Sequence, residues 1–363
     1  MREILFSVGD PSGDLNAAPV ATALARLRPD VRLTGLGGKR MRDAGVALIE
    51  DRVSRAVMGF AEIVRAIPHH VSLLRALDAR MRTGRVALVV CVDYGGFNLR
   101  LAARAAQRRV PVLYYISPQV WASRPGRMKT MARTVTKAAV ILPFEETLLR
   151  DNGIDATFVG HPILDRVQET QEKLDLGPGP VLALFPGSRA QEVERLLDPF
   201  VGAAREAERR VPGLNVVVSH APNVTIDPAR CPYPIVRAPS IAILRAATAV
   251  LCKSGTTTLE AAVVGCPLAI AYKTSNLTYQ IAKRLVTIPY IGMVNVVAGR
   301  RIAPEFIQGD VQPGPMADAL VPLLDRSSNT HTTAVADLAK VKAALGTPGA
   351  AERVAEMASK LAR

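Results

Sequence analysis

A chain of 363 residues is longer than one hydrophobic core usually supports, so two domains are expected. Hydrophobic residues make up 49% of the chain but aromatic residues only 4%, so Val, Leu, Ile and Ala must fill the interior, which favours layered α/β folds. No apolar stretch approaches the roughly 20 residues of a spanning helix, and the run Ile4–Val8 is too short for a signal peptide. We therefore expect a cytoplasmic protein that is neither exported nor integral to a membrane.

The net charge of +14 is concentrated in one part of the chain. No acidic residue occurs from Tyr94 to Phe144, whereas nine basic residues do: Arg100, Arg104, Arg108, Arg109, Arg124, Arg127, Lys129, Arg133 and Lys137. Such a segment attracts anionic partners, and nucleic acid, phosphorylated ligands and an anionic bilayer are the candidates. Charge alone does not choose among them.

Short apolar runs alternate with helical patterns along the chain, which predicts βαβ units and parallel sheets. The predicted strands of the first half are Ile4–Val8, Val31–Leu36, Ala87–Val92, Val112–Tyr115, Ala138–Leu142 and Thr157–Val159. Those of the second half are Val181–Phe185, Leu214–Val218, Ile235–Val236, Ala249–Cys252 and Leu268–Ala271. The Pro/Gly-rich stretch between the two series, 176–180, indicates a junction. Two Rossmann-like domains, 1–170 and 176–325, are therefore predicted.

A polar linker and closing helices are predicted over 326–363. In the last helix we expect Thr347 to be the N-cap and Pro348 the first helical residue. Val354, Met357 and Leu361 recur at helical spacing and predict the face that packs against the core.

Cysteine and histidine spacing predicts neither disulfides nor a metal site. Cys91, Cys231, Cys252 and Cys266 lie far apart, and no zinc-binding His spacing occurs. Buried free thiols in a reducing compartment are expected.

The first motif that carries chemistry is the glycine turn 9–14, directly after the first strand and before the helical pattern Leu15–Leu27. Such a turn brings the backbone close to a ligand at the carboxyl end of a strand. Gly9, Ser12, Gly13 and Asp14 are therefore candidate contacts. An equally good interpretation is that Ser12 or Asp14 caps the helix.

The second motif is Val90–Asn98, an apolar strand that ends in Asp93 and two glycines. A carboxylate at this edge of a sheet is well placed to accept a proton from an attacking hydroxyl, so Asp93 is the candidate general base. Taken alone, the motif fits a turn or cap residue better.

The third motif is Leu184–Glu194, again a strand, a glycine turn and a helix start. The free amides around Pro186, Gly187 and Ser188, with the guanidinium of Arg189, suit a diphosphate. The competing interpretation, a cap by Ser188 with Arg189 in solvent, is weaker.

The fourth motif is Cys252–Glu260, in which Ser254, Gly255 and Thr256 open another helix. Glu260 lies further along that helix, where a carboxylate can accept hydrogen bonds from ribose hydroxyls. Two amide cradles in one half of the chain predict a nucleotide diphosphate ligand. A Walker A motif is absent, which argues against an NTP-hydrolysing P-loop.

Taken in order, these motifs resemble those of lipid-A-disaccharide synthase, a family of inverting GT-B glycosyltransferases. The turn 9–14 is similar to the family's G-E-A-S-G-D, and Leu184–Glu194 resembles its L-P-G-S-R-x-x-E. Further matching segments are Val57–Ile63, Tyr115–Ala122, Leu142–Glu145, Gly160–Asp165, Ser254–Glu260, Leu277–Val286, Asn295–Arg300 and Pro304–Gln308. The resemblance implies two Rossmann-like domains facing across a cleft, with parallel sheets flanked by helices.

The resemblance also implies a reaction. The 6-hydroxyl of 2,3-diacylglucosamine 1-phosphate attacks the anomeric carbon of UDP-2,3-diacylglucosamine, and a β-1,6 disaccharide and UDP are formed. The resemblance implies no cofactor and no essential metal, and the UDP-sugar is the donor substrate.

Site residues are carried over on the matching motifs. Asp93 corresponds to the family's essential aspartate and Arg189 to its essential arginine at the nucleotide phosphates. Glu260 is expected to hold the ribose, residues 254–256 the diphosphate, and Asn295 the nucleotide side of the cleft. The residues expected at the acceptor or cleft are Gly9, Ser12, Gly13, Asp14, Met58, Glu62, Asn98, Ser117, Trp121 and His161.

The chain departs from the family pattern at a few positions. Asp10 replaces the usual Glu, Pro11 the usual Ala, and Gly96 an aspartate that often precedes F-N. The family's S-L-P-N reads Gly292-Met293-Val294-Asn295, and Ser123 replaces a second Trp. These departures bear on which acceptor fits.

The resemblance implies a role for the basic segment in membrane binding, because both substrates of the family carry acyl chains. We expect a protein peripheral to the inner face of the cytoplasmic membrane, attracted by anionic lipids. Residues 63–81 are predicted to lie at that surface, since Ile67, Val71, Leu74, Leu77 and Met81 recur at helical spacing among arginines. A helix that packs between the domains fits the same pattern equally well.

Two alternative functions, one enzymatic and one not, compete with this interpretation. Another GT-B protein acting on UDP-N-acetylglucosamine, such as a peptidoglycan transferase or an epimerase, would lack the segment 277–286. A nucleic-acid-binding protein would use residues 100–137, but only Tyr114, Tyr115 and Trp121 interleave with those charges, which is weak for base stacking. No nucleic-acid partner is therefore expected.

Overall fold

A computed structural model describes residues 2–53, 67–119, 121, 126–222, 224–285 and 288–362. The chain forms two compact units, the first made of residues 1–162 and 347–363 and the second of residues 163–346. This division differs from the predicted segments 1–170, 176–325 and 326–363. Residues 163–169 form a helix that packs into the core of the second unit, and the closing segment is shared between the units.

The first unit is built on a seven-stranded parallel sheet, with the order β3-β2-β1-β4-β5-β6-β7. Its strands are β1 (Arg2–Val8), β2 (Val31–Gly37), β3 (Ala47–Asp51), β4 (Val86–Val92), β5 (Val112–Tyr115), β6 (Lys137–Val140) and β7 (Ala156–Phe158). The central strands are apolar on both faces because helices cover both sides. In β1, for example, Leu5 packs into one core while Ile4 and Phe6 pack into the other.

The second unit is built on a six-stranded parallel sheet, with the order β10-β9-β8-β11-β12-β13. Its strands are β8 (Val181–Phe185), β9 (Asn215–Ser219), β10 (Ile235–Val236), β11 (Ala249–Lys253), β12 (Leu268–Tyr272) and β13 (Glu305–Ile307). Every predicted strand is present, with its ends within two residues of the prediction. Sequence analysis missed β3 and β13, which are edge strands with half-buried side chains and therefore lack the continuous apolar run of a central strand.

Helices connect the strands. The described helices are α1 (Pro11–Leu27), α2 (Lys39–Asp43), α3 (Ile67–Arg82), α4 (Gly95–Gln107), α5 (Gly126–Thr134), α6 (Pro143–Asp151), α7 (Ile163–Glu169), α8 (Ala190–Glu208), α9 (Ser240–Ala246), α10 (Thr257–Val264), α11 (Asn276–Leu285), α12 (Met293–Ala298), α13 (Pro313–Leu324), α14 (Asn329–Ala344) and α15 (Ala350–Leu361). None of the described helices is long and apolar enough to cross a membrane.

The last helix, α15, belongs to the first unit and packs on α1. Its predicted inner face is confirmed, since Val354 is fully buried and Met357 and Leu361 pack against the same core. The predicted start is wrong. Gly349, in the left-handed region with a φ of 92°, is the N-cap, and Pro348 lies outside the helix. Glycine adopts this conformation without the steric cost that a side chain imposes, so the chain turns there.

The burial of residues on helix α3 corrects part of the predicted membrane-facing stripe. Leu77 and Met81 are almost fully buried in the core of the first unit. Val71 is exposed. Residues 63–66 lie outside the described part of the chain. The described stripe is therefore mainly a packing face.

All four cysteines are buried free thiols, as predicted. Burial raises the pKa of Cys91, Cys252 and Cys266. These thiols are therefore protonated and unreactive at neutral pH.

Candidate active site

Four of the candidate turns lie at the same topological position, two in each sheet. In the first sheet the strand order reverses between β1 and β4, and in the second between β8 and β11. Ligands of open α/β sheets bind at the carboxyl ends of the strands at this switch point. The first unit presents the turns after Val8 and Val92 there, and the second unit those after Phe185 and Lys253.

The turn after β1 is organised by two carboxylates. Asp10 is the N-cap of α1, and its Oδ1 accepts a hydrogen bond of 2.6 Å from the Gly13 amide. Asp14 is buried, and it accepts hydrogen bonds from the amides of residues 38, 40 and 41, at the start of α2. The predicted caps were Ser12 or Asp14 on α1, but Asp10 takes that place and Asp14 caps the neighbouring helix. Ser12 is exposed.

Gly9 is required because an aromatic ring lies against its backbone. A Cβ atom on Gly9 would come within 2.3 Å of Cγ of Tyr94. Tyr94 immediately follows Asp93 at the end of β4. The two turns at the switch point therefore touch, and any side chain at position 9 would displace Tyr94.

Asp93 is a half-buried carboxylate in an unusual backbone conformation. Asp93 and Tyr94 have φ values of 48° and 51°, the left-handed region that costs non-glycine residues about 1–3 kcal/mol each. Burial, and then the nearby charge of Asp10, raise the pKa of Asp93 to about 6. A carboxylate with this pKa is ionised at neutral pH but is a much better proton acceptor than an ordinary aspartate.

Two side chains fix the strained backbone of Asp93. The Asp93 carbonyl accepts hydrogen bonds from Nδ2 of Asn98 at 2.9 Å and from the hydroxyl of Tyr114 at 2.8 Å. Asn98 also donates to the carbonyls of Ser7 and Val92, and its Oδ1 accepts from the Ser7 hydroxyl at 2.6 Å. Asn98 was predicted to line the acceptor site, but it is fully buried and all its polar atoms are occupied. Asn98 therefore supports Asp93 by holding its backbone carbonyl from within the core.

We expect Asn98→Ala to destabilise the protein by about 2–4 kcal/mol, because three backbone carbonyls and the Ser7 hydroxyl lose a buried partner. Turnover should fall as well, since Tyr114 is then the only side chain described as bonding to the Asp93 carbonyl. Urea unfolding measures the first effect. The matched control is Asn152→Ala on the surface, which should stay within about 0.5 kcal/mol of wild type. An equally small loss for the Asn98 variant would contradict this role.

Tyr94 belongs to a cluster that sequence analysis did not find. Its ring stacks on Phe97 with a centroid distance of 5.4 Å, and its hydroxyl lies 2.5 Å from Nε2 of His70. Arg52 reaches the same two groups at 3.4 and 3.2 Å. The partners come from β4, α4, α3 and the end of β3, so no local spacing reveals them.

A second carboxyl with a raised pKa, the buried Glu145, lies at the start of α6. Nε1 of Trp121 donates to it at 3.0 Å, and the Leu142 amide donates at 3.2 Å. Burial raises the pKa of Glu145 to about 7, against the opposing hydrogen bonds from Trp121 and others. Ser117 and His161, both predicted site residues, are buried as well. The predicted Met58 and Glu62 lie outside the described residues.

In the second unit, Glu192 organises the turn after β8. Its Oε2 accepts a hydrogen bond of 3.0 Å from the Ser188 amide, and its Oε1 lies 3.1 Å from the Arg189 guanidinium. Gly187 has a φ of 135°, and a Cβ there would come within 2.5 Å of the Glu192 side chain. Only glycine fits at this position in the turn after Pro186. Arg189 follows the turn at the start of α8, and its side chain is half exposed.

The turn after β11 lies beside it in the same sheet, because β8 and β11 are neighbours. Ser254, Gly255 and Thr256 lead into α10, and the Ser254 hydroxyl donates to the Ile291 carbonyl at 2.6 Å. Glu260 is buried in the first turn of α10, with one carboxylate oxygen 3.6 Å from Arg166. Arg166 is therefore a charged neighbour of the Glu260 carboxylate.

Asn295 was predicted to line the nucleotide side of the cleft, but its side chain is fully buried. Oδ1 accepts from the amides of Ile302 and Ala303, and Nδ2 donates to Ala303 and to Glu305. Glu305 in turn accepts from the amides of residues 291 and 292. Asn295 therefore holds the loop to which Ser254 is bonded.

Among the described residues there is no group of three or more His, Cys, Asp or Glu side chains that could hold a metal ion. The charged groups at the switch point of the second sheet are instead Arg189, Glu192 and Lys253.

Two parallel sheets flanked by helices, each with ligand-type turns at its switch point, define the α/β fold of the GT-B glycosyltransferases. The chain is similar to the solved structure of the glycotransferase of kitacinnamycin, with a TM-score of 0.67, 16% identity, and 99% of this chain and 98% of that chain covered. It is similarly close to the UDP-GlcNAc 2-epimerase from Neisseria meningitidis bound to UDP-GlcNAc, with a TM-score of 0.65, 12% identity, and 99% and 100% covered.

The chain belongs to the lipid-A-disaccharide synthetase family, whose pattern it matches over residues 4–360. It is 40% identical to the lipid-A-disaccharide synthase of Anaeromyxobacter sp. (strain K) and 38% identical to that of Syntrophus aciditrophicus (strain SB). In both comparisons 98% of this chain and 96% of the relative are covered. The chain is therefore a UDP-sugar-dependent hexosyltransferase of lipid A biosynthesis, which confirms the predicted fold, family and enzyme class.

Proposed function

We propose that the chain transfers 2,3-diacylglucosamine from UDP-2,3-diacylglucosamine to the 6-hydroxyl of 2,3-diacylglucosamine 1-phosphate, with Asp93 as the general base. The oxygen of the 6-hydroxyl forms the new bond to the anomeric carbon, and its proton passes to the Asp93 carboxylate. The bond from the anomeric carbon to UDP breaks, and UDP leaves with the electron pair. Attack from the face opposite UDP inverts the anomeric centre.

The observation that carries the proposal is the state of Asp93. The carboxylate lies at the switch point of the first sheet, its pKa is raised to about 6, and its strained backbone is held by Asn98 and Tyr114. A strained backbone and a raised pKa both cost stability, and such costs are typical of a functional group.

The second unit supplies the donor site in this proposal. The guanidinium of Arg189, the turn 186–188 and the turn 254–256 bind the diphosphate, where negative charge develops as UDP leaves. Glu260 binds the ribose hydroxyls. Asn295 acts indirectly by holding the loop beside Ser254.

The acceptor side is assigned to the first unit. Gly9, Ser12, Gly13 and Trp121 are proposed to border the acceptor, whereas Asp14 and Asn98 act through the backbone that they hold. We also propose that transfer needs no metal, because fixed amides and cations of the second unit balance the charge of the diphosphate.

Incubation of the purified protein with both diacylated substrates, followed by mass spectrometry, tests the proposal. Disaccharide and UDP should appear in equal amounts, and the rate should not change with EDTA. Absence of disaccharide with active relatives as the positive control would overturn the proposed reaction. Loss of activity in EDTA that Mg²⁺ restores would overturn only its metal independence.

We further propose that the protein works at the cytoplasmic face of an anionic membrane. Helices α3, α4 and α5 pack side by side in the first unit, and their outer face is basic. The exposed basic residues on or next to these helices are Arg75, Arg82, Arg100, Arg104, Arg108, Arg109, Lys129 and Arg133. The one acidic residue described on these helices, Asp78, is buried between Arg82 and Arg108, at 2.8 and 2.9 Å.

Binding to lipid vesicles tests this surface. We expect the protein to bind vesicles that contain phosphatidylglycerol and not vesicles of phosphatidylcholine alone. Arg100→Gln with Arg104→Gln should weaken binding roughly tenfold or more, since each charge near an anionic surface is worth about 1 kcal/mol. Lys342→Gln with Lys360→Gln removes the same charge elsewhere and is the control. Equal losses for both double variants would contradict a specific docking face.

A further inference from the structure

Lys253 lies between the two turns of the second unit that carry the proposed donor site. It is the last residue of β11 and directly precedes the turn 254–256. Its Nζ lies 3.0 Å from Oε1 of Glu192 in α8, and 3.7 Å from the position that a Cβ on Gly255 would take. The ammonium group is therefore next to the start of α10 and linked to the start of α8.

We propose that Lys253 is a second cation that binds the diphosphate of the donor, together with Arg189, and that Glu192 holds both cations in position. This inference rests on the proposed function, because it assumes a nucleotide diphosphate as the ligand. It adds a binding residue that the sequence motifs did not single out.

The geometry around Glu192 brings the two positive charges together. Nζ of Lys253 and Nη1 of Arg189 contact the same carboxylate oxygen, at 3.0 and 3.1 Å. The other oxygen accepts from the Ser188 amide at 3.0 Å. One side chain therefore connects the turn after β8, the turn after β11 and two cations.

The charge balance of this cluster favours an anionic ligand. Burial raises the pKa of Glu192. The charge of Lys253 and the hydrogen bonds that Glu192 accepts outweigh burial and hold this pKa below its ordinary value. Glu192 is thus ionised, and one carboxylate neutralises only one of the two cations. The starts of α8 and α10 add partial positive charge from their free amides. A diphosphate supplies the missing negative charge.

Lys253 is less exposed to water than Arg189, which strengthens its interaction with a bound phosphate. The Lys253 side chain is 19% exposed, against 55% for Arg189. Water screens a partly buried charge less, so its interaction with a phosphate is stronger than that of a surface lysine. A lysine that served only to anchor Glu192 would instead affect the shape of both turns and not the recognition of phosphate in particular.

Calorimetric titration of UDP and of uridine separates these two roles. With Lys253→Met we expect the Kd of UDP to rise about 10- to 100-fold, the usual loss of one charge-assisted hydrogen bond, and the Kd of uridine to stay the same. Lys253→Arg should retain most of the UDP affinity, because it keeps the charge. Lys342→Met, an exposed lysine on α14, is the matched control and should change neither value.

The outcomes are distinct. If wild type binds no UDP, the proposed function is wrong. If wild type binds UDP and Lys253→Met binds it equally well, the inference is wrong while the proposed function stands. If UDP and uridine weaken alike, Lys253 is only a structural anchor, which also overturns the inference. Should Lys253→Met not fold, Lys253→Gln replaces it, since its amide can still bond to Glu192.

Discussion

Asp93→Asn is expected to lower kcat/KM for disaccharide formation by about 10³-fold and to leave the Kd of UDP unchanged. Removal of a positioned general base typically costs 10²- to 10⁴-fold. Asparagine has nearly the same size and keeps the hydrogen bonds that the Asp93 backbone receives from Asn98 and Tyr114. It cannot take a proton from the acceptor hydroxyl. Steady-state kinetics and calorimetry on the same preparation measure the two quantities.

The pH dependence of kcat/KM tests the role of Asp93 independently. A general base works only when it is deprotonated, so wild-type kcat/KM should rise tenfold per pH unit up to about pH 6 and be level above it. The Asp93→Asn variant should lose this limb. Since the charge of Asp10 helps to raise the pKa of Asp93, Asp10→Asn should move the limb to lower pH while still capping α1.

The control for Asp93 is Asp151→Asn, an exposed aspartate at the end of α6, which should behave as wild type. Retained turnover in Asp93→Asn would exclude Asp93 as the base. If the acid limb persisted in Asp93→Asn, it would report general acid unfolding and not the titration of Asp93.

The sequence predicts the two sheets well because central parallel strands have a strong local signal. A buried run such as Val86–Val92 is apolar on both faces, and a glycine turn follows it. Each turn with candidate residues could be found in the same way. That the turns after β1 and β4 touch through Gly9 and Tyr94 could not, because strand order depends on contacts between residues far apart in the chain.

The sequence predicts less well which polar residues face a ligand. Asn98 and Asn295 occur in motifs of the site, yet both are fully buried and bonded to backbone groups. A motif records that a residue is needed, not whether it touches the substrate or holds a residue that does. Lys253 and Glu192 show the converse, since their pairing joins two separate motifs.

Arg189→Ala is expected to lower kcat/KM by about 10²- to 10³-fold and to weaken UDP itself. The guanidinium lies at the start of α8, where the charge of the departing diphosphate develops in the proposed reaction, and loss of one such donor usually costs this much. Glu192 then also loses one of its two cations, which leaves it less neutralised next to the ligand. Competition titration with UDP and steady-state kinetics measure the two losses.

Two further variants separate charge from geometry at this position. Arg189→Lys keeps the charge but not the planar pair of donors, so it should recover only part of the lost affinity. Arg205→Ala, an exposed arginine near the far end of the same helix, should have no effect on either quantity. If Arg189→Ala bound UDP as wild type does but still turned over slowly, Arg189 would act on the transition state alone. If both binding and turnover were unchanged, the diphosphate would have to bind elsewhere, and the donor site assigned to the second unit would be wrong.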